Sequence, residues 1–343
     1  MSVHAVELKD KFGFDSLVKV VRPREKPGGL GSNEVRVKIC ATSVNYRDLL
    51  IISGMYNPKL KLPIVPLSDG AGVVTEVGEG VTKWAVGDRV IPAFHQNWNA
   101  GAPTREKLEY SLGSPLDGVC IEERVFPAGG LLGCPDHLSF REAASLPCAA
   151  VTAWTSLIRE AALQPGETVV IQGTGGVALF ALQFAKLMGA WVILLSSSDE
   201  KLERGQALGA DYALNYRSTP EWAGPVREIT HGQGADVIIE LGGTKTLEQS
   251  LKAIAIGGRI PVIGVLSGAA VTLPLTRILM QHVKLQGITV GSHEDASAML
   301  AAIDMHKLHP VLDQNFGFFD VHGALMALGA GKHFGKMTLS HDN

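Results

Sequence analysis

Residues 168–188 limit what this chain can fold into more than any other stretch. An apolar run rich in β-branched side chains, 168–173, leads into the glycine turn Gly173-Thr174-Gly175-Gly176-Val177-Ala178. Beyond the turn, Val177, Phe180, Leu182, Phe184, Ala185 and Leu187 are spaced so that a helix over 177–188 buries much of its surface. No charged side chain falls between Thr168 and Ala185. A membrane-spanning helix, however, needs about 20 apolar residues, and the glycines in the middle favour strand, turn and helix. No membrane partner is expected.

The same rhythm continues downstream. A second buried strand is predicted at 191–195, and Ser197-Ser198-Asp199-Glu200 carries a capping-box signature for the next helix. Two more buried strands, 236–241 and 259–264, flank a helical segment at 247–256. Strand alternating with helix at this spacing implies a parallel, doubly wound sheet. Ahead of about residue 151 the pattern differs: short β-type runs at 34–39, 71–77 and 89–93, broken by Gly, Pro and Asn, predict a β-rich barrel. Near the end, helical patterns at 296–305 and 320–328 precede an apolar strand at 336–339. Periodicity leaves open whether this tail extends the second half or returns to the first.

At 343 residues the chain is expected to hold two domains. Its 46% hydrophobic and 19% charged residues exclude a disordered chain. With 31 basic against 34 acidic residues the formal net charge is −3, so no basic surplus exists to neutralise nucleic acid. Cys40, Cys120, Cys134 and Cys148 lie far apart and form no CxxC pair. That usage, with no apolar signal core near the N-terminus, leads to a cytoplasmic expectation.

A strand–glycine turn–helix junction lets a backbone approach a pyrophosphate, whose charge the helix N-terminus favours. Gly173, Thr174, Gly175, Gly176 and Val177 are therefore read as a dinucleotide cradle, against the plainer reading of a tight turn. NAD sites usually place an acid at the end of the second strand. Here the strand runs into Ser196, Ser197 and Ser198, with Lys201 beyond and Asp199 already in the first helical turn. Hydroxyls and a lysine suit a 2′-phosphate, so the expected cofactor is NADP (NADPH). The plainer alternative is a capping serine and a solvated lysine.

Further motifs widen the pattern: Ser43-Val44-Asn45-Tyr46-Arg47-Asp48, Gly70-Ala71-Gly72-Val73-Val74, Val86-Gly87-Asp88-Arg89-Val90, Ala150-Val151-Thr152-Ala153-Trp154 and Val262-Ile263-Gly264. With the glycine turn, they make the chain resemble the medium-chain dehydrogenase/reductase superfamily over essentially its whole length, on the side of zinc-lacking quinone oxidoreductases and alcohol dehydrogenases. The resemblance implies an α/β fold: a GroES-like β-barrel catalytic domain, 1–150 with 293–343 returning to it, and a Rossmann doubly wound parallel sheet, 151–292. It implies hydride transfer with a nicotinamide, and a homodimer joining two Rossmann sheets edge to edge through 283–291. For the cofactor it adds Thr152 near the nicotinamide or phosphates and Tyr216 near the 2′-phosphate. It also places the backbone of Ile263, Gly264 and Val265, and of Val290, Gly291 and Ser292, along the carboxamide.

Zinc members of that superfamily hold the catalytic metal with Cys, His and Cys, and the matching positions here are Asn45, Ser68 and Cys148. One thiol is too few for a site that needs three protein ligands, so no metal is expected. His306 and His309 read as solvated. Without a Lewis acid, another group must stabilise charge on the substrate oxygen. The segment Ser53-Gly54-Met55-Tyr56 resembles the position of a catalytic tyrosine in related enoyl reductases, which makes Tyr56 the first candidate proton donor or oxyanion anchor. Asn45 could donate its amide to substrate or cofactor, or simply cap a turn. Asp48 reads as a relay or as a group that fixes the loop.

The expected function is zinc-independent, NADPH-dependent hydride transfer to or from a small enone, quinone or aldehyde/alcohol. One alternative is zinc-free oxidation of a primary or secondary alcohol. Another, of a different class, is an NADPH-binding sensor or structural protein with little turnover.

Overall fold

The computed structural model describes residues 2–341, and the chain divides into two compact units, Met1–Val151 with Gly291–Asn343, and Thr152–Val290. The first unit opens with β1 (Ser2–Leu8) and β2 (Leu17–Pro23), an antiparallel pair with Leu8 opposite Leu17. Then come β3 (Glu34–Ser43), α1 (Tyr46–Ile52), β4 (Asp69–Val77), β5 (Arg89–Pro92), α2 (Arg105–Leu108), β6 (Glu123–Pro127), β7 (Leu131–Gly133) and α3 (Phe140–Ala144). Inward positions of the long strand β3, Val35, Val37 and Ile39, are fully buried and pack with Leu8, Leu112 and Phe126. The close pairing of β3 with β4 requires glycine at Gly72, where a Cβ would lie 2.0 Å from the Lys38 carbonyl oxygen. The helical run 146–160 is widened on both sides of a short α-helical stretch: α4 (Val151–Trp154) is flanked by π-helical turns Leu146–Ala150 and Thr155–Glu160.

The second unit alternates strictly. It runs β8 (Thr168–Gln172), α5 (Gly176–Leu187), β9 (Trp191–Ser196), α6 (Asp199–Ala207), β10 (Tyr212–Asn215), α7 (Ala223–Ile229), β11 (Ala235–Ile239), α8 (Leu247–Ala253), β12 (Ile254–Val262), α9 (Leu275–Met280) and β13 (Lys284–Gly287). The six strands form one parallel sheet in the order β10-β9-β8-β11-β12-β13. Strand order therefore reverses between β8 and β11, and in such sheets ligands bind at the carboxyl ends of the strands beside the reversal.

Three local expectations need correction. The helix predicted over 247–256 stops at Ala253, because Ile254 is fully buried as a β-branched residue paired with Ala235, and β12 begins there. The capping box expected at α6 is a single cap: Ser198 accepts from the Lys201 N–H at 3.4 Å, which puts lysine rather than Glu200 at the reciprocal position. The edge strand expected over 283–291 is only Lys284–Gly287, and beyond it Val290 turns to φ 65°, a conformation that a β-branched residue rarely adopts.

The chain then returns to the first unit with α10 (His293–His306), β14 (Leu312–Gly317), α11 (Val321–Gly329) and β15 (Lys336–Ser340). Ser292 and Asp295 cap α10 reciprocally. The seven-stranded sheet runs β14-β15-β3-β4-β5-β7, with β6 also paired to β3. Strand β15 lies antiparallel to β3, Thr338 opposite Ser43, and this register carries the start of β15 to the segment that follows β3. Among the described residues no helix is long and apolar enough to cross a membrane.

Candidate functional site

In the second unit, the end of β8 is shaped for an anion. Gly173 has φ 84°, with open space where a side chain would stand. Gly175 is the N-cap of α5, and Gly176 and Val177 open the helix, so the first-turn N–H groups have no partner within the helix. Thr174 is buried beside them. Strand, glycine turn and helix stand next to the reversal of strand order, and this arrangement fits a dinucleotide pyrophosphate.

Across the reversal, a polar network sets the neighbouring loop. Glu240 is fully buried and follows β11. It accepts from Gln172 Nε2 at 2.7 Å, from Ser250 Oγ at 2.5 Å, from Thr246 Oγ1, and from the Gly242 and Gly243 N–H groups at 3.1 and 2.9 Å. The Gln172 side-chain Oε1 accepts from the Leu241 and Gly242 N–H groups, each at 3.1 Å. The Glu240 backbone carbonyl receives the N–H groups of Ile263 and Gly264 at 3.0 and 3.2 Å. Gly264 must be glycine for close approach, since a Cβ there would lie 2.1 Å from the Leu241 carbonyl oxygen. Val265, next in line, is exposed. Neither Gln172 nor Glu240 was expected from sequence. A glutamine and a glutamate closing two apolar strands were the available signal.

At the carboxyl ends of β9 and β10, Ser196 is buried, Ser197 is half-buried and Tyr216 is exposed, with the Tyr216 N–H donating to the Ser196 carbonyl at 3.0 Å. Lys201 lies in the first turn of α6, and Asp199 there accepts from Asn215 Nδ2 at 2.7 Å. These residues gather at one sheet end. Thr152 is buried at the start of the unit, and its carbonyl accepts from Ser156 Oγ at 2.7 Å. Val290 closes the second unit, and Gly291 and Ser292 open the returning part of the first. The Ser292 hydroxyl is engaged with Asp295, accepting from its N–H at 3.1 Å and donating to Oδ2 at 2.6 Å.

In the first unit, the segment between β3 and α1 holds Asn45 and Asp48. The Asn45 N–H donates to Asp48 Oδ2 at 2.8 Å and so starts α1. Asp48 is buried, and desolvation raises its carboxyl to about 6 despite opposition from Arg47, the Asn45 N–H and Lys336, with Asp69 adding to the rise. Its other oxygen, Oδ1, is buried and has no hydrogen-bond partner among the described residues. Tyr56 is 48% exposed beyond α1, and the Arg47 guanidinium lies over its ring at 5.0 Å and over Phe94 at 4.6 Å.

The sequence reading missed the centre of this cluster. Lys336, the first residue of β15, is 3% exposed and donates to the Val44 carbonyl at 2.8 Å and to Asn45 Oδ1 at 2.6 Å. Its ammonium lies 3.8 Å from Asp69 Oδ2. Asp69, fully buried, accepts from Ser68 Oγ at 2.7 Å and from the Cys148 N–H at 3.2 Å. Burial pushes the Cys148 thiol upward, away from the thiolate a metal requires. One such thiol, an amide, a serine hydroxyl and an ammonium beside them do not fit a catalytic zinc site. Among the described residues no three or more His, Cys, Asp or Glu side chains are grouped to hold a metal ion. His309 is solvent-exposed, as expected, and its ring also sits 2.7 Å from Glu142, and all four cysteines are free thiols.

Comparison with known proteins agrees with both units. Residues 31–136 match the alcohol dehydrogenase GroES-like domain, and 176–305 match the family described as zinc-binding dehydrogenase. A zinc-type alcohol dehydrogenase-like protein of Schizosaccharomyces pombe is 43% identical over 338 residues, 96% of either chain. An acryloyl-coenzyme A reductase of Metallosphaera sedula is 32% identical over 82% of this chain and 84% of its own. Among solved structures, a candidate alcohol dehydrogenase from Sinorhizobium meliloti superposes with a TM-score of 0.92 at 40% identity, covering 99% of this chain and 98% of its own. An NAD-dependent alcohol dehydrogenase does so with 0.89 at 34% identity, covering 99% and 100%. With a GroES-like unit, a Rossmann sheet and relatives matched end to end, the chain belongs to the medium-chain dehydrogenase/reductase superfamily and is an NAD(P)-dependent oxidoreductase.

Proposed function

We propose that the protein is a zinc-independent, NADPH-preferring reductase of a small unsaturated carbonyl, quinone or aldehyde. The observation that carries this reading is the donor set around Asn45. Where the zinc members need three metal ligands, this chain offers a carboxamide, a hydroxyl and one protonated thiol, tied to Lys336 and Asp69. Reduction of an enone or quinone suits such a set, because the enolate or phenolate that forms is stabilised within the substrate and needs no Lewis acid. The acryloyl-coenzyme A reductase among the relatives acts on a substrate of that electronic kind.

When bound, the nicotinamide supplies the hydride. Gly173, Thr174, Gly175, Gly176 and Val177 receive the pyrophosphate. Ser196, Ser197, Lys201 and Tyr216 surround the 2′-phosphate. Thr152, and the backbone of Ile263, Gly264, Val265, Val290, Gly291 and Ser292, hold the nicotinamide end. Asn45 donates to the substrate oxygen, Tyr56 supplies the proton that completes the product, and Asp48 fixes the loop that carries Asn45. Binding positions the reactants, and proximity supplies much of the rate. We further propose a cytoplasmic homodimer.

A second reading, oxidation of an alcohol without zinc, is favoured by the names of the more similar relatives. The discriminating experiment follows NADPH and NADH consumption with a panel of enones, quinones and aldehydes, and reduction of NADP⁺ and NAD⁺ with alcohols. Turnover confined to alcohols selects the second reading. Cofactor binding without turnover on any substrate selects a sensor or structural protein.

A further inference from the structure

We infer that Lys336 is a positioning residue: its buried ammonium fixes the carboxamide of Asn45 with the NH₂ group turned away from it, as the donor for the substrate oxygen. The inference rests on the reading that Asn45 contacts substrate. An ammonium has three donors and no acceptor. It therefore decides which end of the amide faces it, and that end is Oδ1, at 2.6 Å. The amide nitrogen is left on the other side. It is buried and donates to no group among the described residues. A buried donor without a partner points to a missing ligand or water, and a substrate oxygen meets that need. Drawing on the amide oxygen also polarises the group and strengthens its N–H donors.

The ammonium is itself held. The Val44 carbonyl accepts from it at 2.8 Å, and the Asp69 carboxylate faces it at 3.8 Å. Asp69 in turn takes Ser68 Oγ, the Cys148 N–H and, at 3.5 Å, Ser43 Oγ. The Ser43 hydroxyl is also 2.9 Å from the Ala144 carbonyl, so α3 is drawn into the same network. Asn45, Ser68 and Cys148, the positions that match metal ligands in the zinc relatives, thus converge on one buried ion pair. The pair performs two of a metal's tasks, fixing those segments and keeping a positive charge near the reacting oxygen. It leaves contact with substrate to Asn45.

The test is a double-mutant cycle in the full chain, using Lys336→Met, Asn45→Ala and both together. The readouts are turnover of whichever enone or quinone the panel finds active, NADPH affinity by fluorescence, and the melting temperature. Lys336→Met should lower kcat by a factor on the order of 10–100, the size of loss seen when a group that orients a metal ligand is removed, with NADPH affinity nearly unchanged. Lys336→Arg, which keeps the charge and the donors, should recover part of the loss. In the Asn45→Ala background the same Lys336→Met change should cost little more, because the amide it orients is gone. Equal losses in both backgrounds, or an unchanged kcat, overturn the inference. Should Lys336→Met fail to fold, Lys336→Met with Asp69→Asn restores charge balance, and the same comparison of backgrounds decides. If the unmodified protein turns over no carbonyl acceptor, the functional reading falls and takes this inference with it. Turnover with additive losses removes the inference alone.

Discussion

The Tyr216 N–H donates to the Ser196 carbonyl at 3.0 Å, so the ends of the parallel strands β9 and β10 are held together where each meets its loop. The first turn of α6 brings Lys201 to the same end. Asp199, in the same helical turn, already accepts from Asn215 at 2.7 Å. NADPH is therefore expected to bind at least about 10-fold tighter than NADH, or about 1.4 kcal/mol. Lys201→Ala should weaken NADPH and leave NADH nearly unaffected in a titration of cofactor fluorescence. Equal affinities in the unmodified protein would align this chain with its NAD-dependent structural neighbour instead.

Asp48 makes a prediction about pH. Burial raises its carboxyl from 3.8 to about 6. Between those values the folded protein keeps a proton that the unfolded chain has released. The stabilising contribution is thus full at low pH and is lost as pH rises through 6. Asp48→Asn can still accept from the Asn45 N–H but cannot titrate. The stability of the variant relative to the unmodified protein should improve from pH 4 to pH 6.5, with a slope of up to about 1.4 kcal/mol per pH unit. Urea melts across that range give the difference directly. A gap independent of pH would show that folding leaves the Asp48 carboxyl at its ordinary value.

The donor set around Asn45 leads to an expectation about metal. Purified protein should carry less than about one tenth of an equivalent of zinc, and chelation should leave activity and melting temperature in place, since ligands that hold zinc couple it to both. Elemental analysis that found stoichiometric zinc, lost together with activity, would require a site built from other residues.

Much of the second unit was legible because its signals are local. The run 168–173, the glycines after it and the apolar spacing of 177–188 became β8, the turn and α5 within one residue. The errors lie where context outweighs propensity. Ile254, at the end of a helical pattern, joined β12 because the sheet offered it a partner in Ala235. The site in the first unit was half legible. Asn45 and Asp48 stand out as polar residues in one short motif, but Lys336 is 291 positions from Asn45. It reads only as the first residue of an apolar strand. The antiparallel register of β15 on β3 brings it to the cluster, and no local pattern encodes that pairing.

Strand β13 is the unpaired end of the second unit's sheet, and nearby α9 exposes Leu275, Leu279 and Met280, each more than 70% accessible. An open strand edge beside apolar side chains invites pairing with another chain. A second copy with its own β13 supplies a matching edge under two-fold symmetry. Light scattering should give about twice the chain mass, and Leu279→Glu should shift the species toward one chain. A single-chain mass that persists on concentration would leave this edge unpaired in solution.

Tyr56 remains to be tested as the proton source. Its ring is partly exposed and packs its face against the Arg47 guanidinium, whose nitrogens reach the Leu112 carbonyl at 3.0 Å and the Ser114 carbonyl at 3.4 Å. Arg47 thus anchors the ring from behind through groups that do not involve the phenol oxygen. Tyr56→Phe keeps the ring and that packing and removes only the hydroxyl. Loss of one donor to a developing oxyanion costs on the order of 10²–10³ in turnover at well-studied sites. The variant should show a fall of that size with NADPH affinity and melting temperature nearly unchanged. Turnover within about threefold of the unmodified protein, on a substrate whose chemical step limits the rate, would make Tyr56 a pocket wall. A water held by Asn45 would then be the proton source to examine, and Asn45→Ala would be expected to lose both the oxyanion contact and the proton.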